Sequence, residues 1–153
     1  MQNDEVWMRL ALQEARLAAA EGEIPVGAVL VRDGQEICRA HNLRENQHDP
    51  TAHAEILCMR RGAEKLGTWR LRGCTLYVTL EPCPMCAGAI INSRLRRVVY
   101  GASDPKAGSC GSVTNLFELP YNHKPELVSG FMTEECSALL TDFFAELRKK
   151  KKV

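Results

Sequence analysis

The apolar positions along the chain change their spacing several times, and each change predicts a new element. Val6, Leu10 and Leu17 recur at intervals close to a helical repeat, with Asn3 before them as a possible N-cap. Gly22 follows as a possible stop. We therefore predict a first helix over this region.

A β-hairpin is predicted after this helix. The run VGAVLV at 26–31 is rich in β-branched residues, which favour strands. Asp33 and Gly34 follow it, and Asp-Gly is a dipeptide favoured in two-residue hairpin turns. The second strand is expected from about Gln35 to Asn42.

Helices and strands alternate along the rest of the chain. The predicted elements are a helix from His53 to Gly67, a strand at 75–80, a helix from Pro84 to Asn92, a strand at 97–101, a short helix at 114–118, a strand at 127–130, and a final helix capped by Thr133 that buries Leu139, Leu140, Phe143, Phe144 and Leu147. A hairpin followed by such alternation predicts an α/β fold with three layers, in which a mixed five-stranded sheet carries helices on both faces. Functional sites in such sheets lie at the carboxyl ends of strands.

Composition and charge limit the possibilities further. The 153 residues suit one domain, and we assign residues 1–147 to it and residues 148–153 to a basic C-terminal tail. Lys and Arg number 20 against 19 Asp and Glu, so the net charge of +1 does not by itself indicate a nucleic-acid-binding protein. The distribution matters more, because the run Arg148 to Lys152 carries one sign of charge only.

Cysteine usage indicates the chemical environment. The chain has seven cysteines, an odd number, and its acidic start MQNDEVW lacks the features of a signal peptide. No segment approaches the ~20 apolar residues that span a bilayer. We therefore expect a cytoplasmic protein without membrane contact or disulfides, in which Cys and His residues hold a metal ion.

Two short motifs supply the candidate ligands. Residues two apart in a helix point about 200° away from each other, so His53 and Glu55 can share a site only in the first turn of a helix. Cys83 and Cys86 are three apart and lie on one helical face, with Pro84 suited to the first helical position. Two helix N-termini would then meet at one point, and their positive ends favour thiolates.

One imidazole nitrogen and two thiolates suit zinc, with a fourth position open for water. A closed structural site is the alternative, with a fourth ligand from Cys58, Cys74, Cys110, Cys136, His41, His48 or His123, although none of these has the spacing of a paired ligand. Glu55, as a carboxylate that does not bind the metal, could move protons for a reaction. Otherwise it would be a helix N-terminal acid that complements the dipole.

The combined pattern H-x-E…P-C-x-x-C is the signature of zinc nucleobase deaminases. The stretches EIPVGAVLV, HDPTAHAEI, YVTLEPCPMCAGAI, VVYGASDPKAGSCGSV and CSALLTDFF resemble, in order and spacing, the bacterial tRNA-specific adenosine deaminases. The resemblance covers nearly the whole chain. The zinc motif is shared by all cytidine-deaminase-like enzymes, whereas the DPTAHAEI block and the DPKAGSCGS loop are more specific.

The resemblance implies a cytidine-deaminase-like fold and conversion of adenosine to inosine at the wobble position of a tRNA anticodon stem-loop. It also implies a homodimer with one zinc ion per subunit and no organic cofactor. Transferred to this sequence, the roles are zinc binding by His53, Cys83 and Cys86, proton transfer by Glu55, substrate contact by Asn42 and Asp104, and peripheral contact by Asn122 and Phe144.

Several alternatives stay open at the level of sequence. Asn42 could be a strand-end turn residue, Asp104 part of an Asp-Pro turn and Phe144 a core residue. The stretch 108–112 is expected to be a flexible loop at the rim of the site. The alternative functions are a deaminase of a free base or nucleotide, such as guanine or deoxycytidylate, and a zinc-stabilised RNA-binding module without activity. The adenosine-type loop and the basic tail argue against a small substrate, and Glu55 argues against an inactive module.

Overall fold

The computed structural model describes residues 3–151 of the chain. Its elements are α1 (Asp4–Ala20), β1 (Gly27–Arg32), β2 (Gln35–His41), α2 (Arg44–Gln47), α3 (Ala54–Leu66), β3 (Cys74–Leu80), α4 (Pro84–Asn92), β4 (Arg97–Ala102), a 3₁₀ turn (Leu116–Glu118), β5 (Glu126–Val128) and α5 (Thr133–Lys151).

The five strands form one mixed sheet in the order β2-β1-β3-β4-β5. β1 pairs antiparallel with both β2 and β3, whereas β3, β4 and β5 run parallel. The carboxyl ends of β3 and β4 therefore lie side by side at one edge of the sheet, and the segment that follows β3 begins there. The predicted mixed five-stranded α/β fold is confirmed.

Alternating side chains of the central strands enter two separate cores. Leu30, Leu76 and Val98 pack on one face of the sheet, with residues of α3 and α4. Val29, Tyr77 and Val99 pack on the other face, with residues of α1 and α5. A strand directs successive side chains to opposite faces, so strands buried on both faces read as nearly continuous apolar runs. The three-layer arrangement follows from this pattern.

The predicted hairpin turn between β1 and β2 is confirmed. Asp33 has φ of 52° and Gly34 has φ of 72°. Two successive positive φ values are the requirement of a type I′ turn, and Asp-Gly meets that requirement with little strain. α3 ends as predicted too, because its C-cap Gly67 has φ of 72°.

The apolar positions that predicted the terminal helices are only partly buried, and the predicted buried face of α5 is partly wrong. Val6 is 46% exposed and Leu17 is 51% exposed, while α1 buries Met8, Ala11, Leu12, Ala15 and Ala18 instead. In α5, Phe144 and Leu147 are exposed as well. Small alanines allow α1 to approach the sheet closely, and a search for large apolar side chains overlooks such a face.

Several element boundaries also differ from the predictions. The four-residue helix α2 was not predicted, and β5 covers residues 126–128 instead of 127–130. The short helix predicted at 114–118 is a 3₁₀ turn. Thr133 is the first residue of α5, and its hydroxyl donates to the carbonyl oxygen of Gly101 at 3.1 Å. The proposed domain boundary at residue 147 falls inside α5, which continues through Lys151; Lys152 lies outside the described residues.

Within residues 3–151, none of the helices combines the length and the apolar character needed to cross a bilayer. All seven cysteines lie in this range and carry free thiols.

Candidate active site

Two helix N-termini carry the predicted metal ligands. His53 is the N-cap of α3 and Cys83 is the N-cap of α4, and neither side chain makes a capping hydrogen bond. Pro84 occupies the first turn of α4, a position that needs no backbone N–H. The two caps therefore direct their side chains away from their own helices and toward each other.

His53, Cys83 and Cys86 form a compact group of possible metal ligands. Nδ1 of His53 lies 3.6 Å from Sγ of Cys83 and 3.6 Å from Sγ of Cys86. A tetrahedral zinc site with Zn–S near ~2.3 Å and Zn–N near ~2.0 Å would separate its nitrogen and sulfur ligands by about 3.5 Å. The three side chains therefore already have the spacing of three corners of such a site.

A fourth protein ligand is not part of this group. Among residues 3–151, these three side chains form the one cluster of His, Cys, Asp or Glu suited to a metal ion. His41 is instead hydrogen-bonded to Glu14 and Glu21, and His123 contacts the carbonyl oxygen of Leu95. The geometry therefore favours a site with one open position over a closed structural site.

The pKa values of the two thiols, Cys83 and Cys86, shift in opposite directions. A hydrogen bond from the Cys86 thiol, assisted by His53, lowers the pKa of Cys83 to about 4 despite partial burial. The same hydrogen bond and burial raise the pKa of Cys86. The hydrogen bond to Cys83 raises the pKa of His53. Cys83 is therefore the thiol of the pair that loses its proton more readily.

Glu55 lies beside this group, in the first turn of α3. It is only 3% exposed. Burial raises the pKa of Glu55 to about 7, and the charge of Cys83 acts in the same direction, against smaller opposing contributions from the backbone and His53. A carboxyl with a pKa near neutrality can both accept and donate a proton, which is the property required of a general acid–base group.

A cavity of about 180 Å³ opens onto these residues. Its lining consists of Ile24, Val26, Asn42, Arg44, His53, Glu55, Leu80, Glu81, Cys83, Asp104 and Ala107. The structure therefore brings both predicted substrate-contact residues, Asn42 and Asp104, to the same cavity as the metal-ligand group. The cavity lies at the carboxyl end of β3, where the topology predicts a site.

Asn42 is buried and is held by two hydrogen bonds. Its Oδ1 accepts from the backbone N–H of Ala54 at 2.8 Å, and its Nδ2 donates to the carbonyl oxygen of Ile24 at 3.1 Å. The side chain thus satisfies an N–H group at the start of α3. Asn42 therefore has a structural role at this helix start as well as a place in the cavity.

The remaining predicted contacts differ in position. Asp104 forms the expected turn, because its Oδ1 accepts from the N–H groups of Lys106 and Ala107. Phe144 borders a second depression of about 360 Å³ that shares Ile24, Leu80 and Asp104 with the cavity. Asn122 is exposed on the segment before β5, and the lining of the cavity does not include it.

The cavity includes two charged residues to which the sequence assigned no role, Arg44 and Glu81. Arg44 lies on the unpredicted helix α2, and no motif marks it. Glu81 directly precedes the Pro-Cys-Pro-Met-Cys motif, and this position was the available signal. It is 2% exposed, and its carboxylate accepts hydrogen bonds from Asp104, Cys110 and Ser112. Burial acts to raise the pKa of Glu81, but the hydrogen bonds outweigh it and the pKa is lowered.

Deaminases are the class that this fold and site define, because residues 2–148 match the family of MafB19-like deaminases. A tRNA-specific adenosine deaminase of Bacillus subtilis (strain 168) is 56% identical over 153 residues, which cover 99% of this chain and 95% of the relative. The chain belongs to the family of tRNA-specific adenosine deaminases.

Solved structures support the same family. One comes from a study of A-to-I editing by tRNA:A34 deaminases at the wobble position of transfer RNA, with a TM-score of 0.87 and 48% identity over 89% of this chain and 99% of that chain. A guanine deaminase from Bacillus subtilis is less similar, with a TM-score of 0.65 and 32% identity over 97% of this chain and 95% of that chain.

Proposed function

We propose that this protein hydrolyses the exocyclic amine of adenosine to give inosine at the wobble position of a tRNA anticodon. The observation that carries the proposal is the shared cavity: His53 and Cys83 of the His–Cys–Cys group line it together with a buried carboxyl group whose pKa is near neutrality. They do so in a chain that belongs to the tRNA-specific adenosine deaminases.

We propose His53, Cys83 and Cys86 as the ligands of one zinc ion per subunit. Nitrogen and thiolate donors at tetrahedral separations suit zinc better than they suit magnesium or calcium, which take oxygen ligands. When bound, zinc supplies Lewis acidity that lowers the pKa of water to about 7.

Glu55 is the proposed proton carrier. Its carboxylate takes a proton from the attacking water and gives one to the ring nitrogen of adenine, so that C6 becomes tetrahedral. The carboxylate then accepts the proton of the new C6 hydroxyl group and delivers it to the amine, so that the C6=O bond forms, the C6–N bond breaks and ammonia leaves. A pKa near neutrality allows both directions of transfer within one turnover.

The substrate base reaches this cavity from a single strand. An anticodon loop base is unpaired, so a protein can turn it out of the loop at low cost. Asn42 and Asp104 border the space beside Glu55, and we propose that they contact the target nucleotide. The cations of Arg44 and Lys106 are suited to loop phosphates, with Phe144 and Asn122 as more peripheral contacts.

A homodimer is also proposed. An open apolar depression of about 340 Å³ lies between α3 and α4, and it is lined by residues that include Ile56, Met59, Ala63 and Trp69. Trp69 is 54% exposed, and a large aromatic side chain at a surface often marks an interface. Light scattering of the native protein and of Trp69→Glu measures whether this face joins two subunits.

A direct comparison of substrates tests the proposed reaction. The protein is incubated with a tRNA that carries adenosine at the wobble position and, separately, with free adenosine, guanine and deoxycytidylate. We expect inosine in the tRNA and little product from the small molecules. Product from guanine or deoxycytidylate alone would support the free-base alternative, and binding of tRNA without product from any substrate would support an inactive RNA-binding module.

A further inference from the structure

A buried carboxylate that the proposed chemistry does not use holds one wall of the cavity. Oε1 of Glu81 accepts from the N–H of Asp104 at 3.0 Å and from the hydroxyl of Ser112. Oε2 of Glu81 accepts from the N–H groups of Cys110 and Ser112, both at 3.0 Å. All four donors belong to residues 104–112, which we call the rim loop.

Residues 108–112 of the rim loop were expected to be flexible, whereas the structure holds them with several hydrogen bonds. The N–H of Ser109 donates to the carbonyl oxygen of Pro82 at 2.9 Å, so the loop is also bonded to the segment that carries Cys83. Gly108 packs directly on Glu81: a Cβ atom at this glycine would lie 2.3 Å from the Glu81 carboxyl carbon. Only a residue without a side chain fits this contact.

We propose that Glu81 is a positioning residue that fixes the rim loop to the start of α4, and so sets where Asp104 and Ala107 stand in the substrate cavity. Glu81 lies two residues before Cys83 and one after the last residue of β3. The loop that shapes the substrate wall and the segment that carries a metal ligand are therefore joined through one side chain. The consequence for substrate binding rests on the function proposed above.

Glu81→Gln is the most informative substitution because it keeps the size of the side chain. In the parent protein, each of the two carboxylate oxygens of Glu81 accepts two hydrogen bonds. An amide has only one acceptor oxygen, so Glu81→Gln replaces one of these oxygens by an NH₂ donor group. The Ser112 hydroxyl can rotate and accept from the new amide, whereas the Asp104 N–H cannot. The amide is therefore expected to sit on the Oε1 side, where it releases Asp104 and leaves the Cys110 and Ser112 N–H bonds in place.

Two matched variants test the same link from the other side. Ser112→Ala removes one of the four hydrogen bonds and leaves the three backbone bonds intact, so we expect a small effect. Gly108→Ala keeps the carboxylate but places a methyl group against it, so the rim loop must shift. Gly108→Ala therefore reproduces the displacement even if Glu81→Gln fails to fold.

Asp4→Asn is the stability control, because Asp4 pairs with Arg97 at the start of β4, the opposite end of the strands from the site.

The experiment combines hydrogen exchange of the zinc-loaded protein with steady-state kinetics on an anticodon stem-loop. For Glu81→Gln and Gly108→Ala, we expect faster exchange confined to the rim loop, unchanged zinc content and a KM raised about tenfold, the size of one missing hydrogen bond to a charged group. We expect kcat to change much less, because Glu55 stays in place. Asp4→Asn should lower the unfolding midpoint without any of these local effects.

Unchanged exchange of the rim loop in both variants would overturn the proposal, as would a KM that rises equally in Asp4→Asn. Loss of zinc from both variants would also overturn it, because Glu81 would then support the metal ligands. The exchange measurement does not need an active enzyme. It therefore separates failure of this inference from failure of the proposed reaction, which would appear as an inactive parent protein with a normally protected rim loop.

Discussion

Among single residues, His53 and Cys83 show most directly how local structure produces a site. Both are N-caps, and an N-cap residue has an extended backbone that turns its side chain out of the helix. Asp or Ser at these positions would hydrogen-bond back to its own helix, but an imidazole and a thiol here leave that bond unmade. The side chains of two separate helices thereby meet within 3.6 Å.

Glu55→Gln separates proton transfer from metal binding. The amide keeps the shape of the buried side chain but cannot carry a proton at neutral pH, so turnover should fall by roughly 10²–10⁴-fold. The zinc content should stay at one ion per chain, because Glu55 is outside the His–Cys–Cys group. Single-turnover kinetics and elemental analysis measure the two quantities. A variant that loses zinc would make Glu55 a ligand, and a variant with full activity would remove its proposed role.

Asn42→Ala and Asp104→Ala should differ in stability although both residues line the cavity. Asn42→Ala leaves the buried N–H of Ala54 without its partner, which costs about 1–3 kcal/mol, and it removes one of the two donors to the carbonyl oxygen of Ile24, the other being the N–H of Val26. Asp104 is less buried and accepts from two turn N–H groups near solvent, so its removal should cost less. Urea unfolding measures this difference.

Both variants are also expected to impair deamination of an anticodon stem-loop. For Asp104→Ala, reduced activity with nearly parental stability would support a substrate contact. Unchanged kinetics on the stem-loop would leave the residue a purely structural turn former. For Asn42→Ala, the kinetics need comparison with the stability loss measured above.

Among the elements, α1 and β2 are joined by a charged bridge that depends on pH. His41 is the last residue of β2, and each of its two ring nitrogens lies 3.0 Å from a carboxylate oxygen. One carboxylate belongs to Glu14 on α1 and the other to Glu21, the C-cap of α1. Burial lowers the pKa of His41, but the hydrogen bonds to the two carboxylates outweigh burial and the pKa is raised above 6.5. The bridge holds α1 next to Asn42, the residue that follows β2.

His41→Gln should therefore destabilise the protein in a pH-dependent manner. Because the folded-state pKa is raised, the stabilisation is fully present below pH 6.5 and is lost as the pH rises through the folded-state pKa. The difference in unfolding free energy between parent and variant should be larger at about pH 6 than at about pH 9. Arg9→Gln, which breaks the exposed pair with Glu5, is a control without this trend. A constant difference across the pH range would show that His41 acts through packing alone.

For the whole molecule, the distribution of charge matters more than its sum. The net charge is +1, yet α5 ends in Arg148, Lys149, Lys150 and Lys151, all of them exposed. The helix continues through this basic segment, so it presents charge on a regular scaffold. Phe144, one turn earlier on α5, borders the depression next to the cavity.

Replacing Arg148 and Lys149–Lys151 by Gln should weaken tRNA binding and leave the chemistry unchanged. Each phosphate that the variant no longer neutralises should reduce the slope of log affinity against log salt concentration by about 0.7 for a single strand. Gln has a high helix propensity, so this variant removes the charge and keeps the helix, whereas deletion of residues 148–153 would remove both. Single-turnover rates at saturating enzyme isolate the chemical step. Identical salt slopes for parent and variant would mean that the segment is only a solvated helix end.

The sequence by itself determined the elements whose signals are local. The Asp-Gly turn, the apolar strands 26–31 and 75–80, and the helix start at Pro84 need no distant partner to be recognised, because φ preference and side-chain spacing set them. The same holds for the two ligand motifs. The spacing of His53 and Glu55 suits a shared site only at a helix N-terminus, and the spacing of Cys83 and Cys86 places both on one helical face. These signals predicted the mixed sheet and the grouping of His53, Glu55, Cys83 and Cys86, whereas Asn42 and Asp104 were recognised through the family resemblance.

The tertiary structure decided what depends on contacts between distant residues. The exposed faces of Val6, Leu17 and Phe144 follow from how α1 and α5 pack on the sheet, and their own sequences do not contain that information. Glu81 gains its role only when residues 104–112 fold onto it, and Asn42 only when α3 begins beside it. A buried carboxylate or amide must find hydrogen-bond partners, and the fold determines which ones it finds.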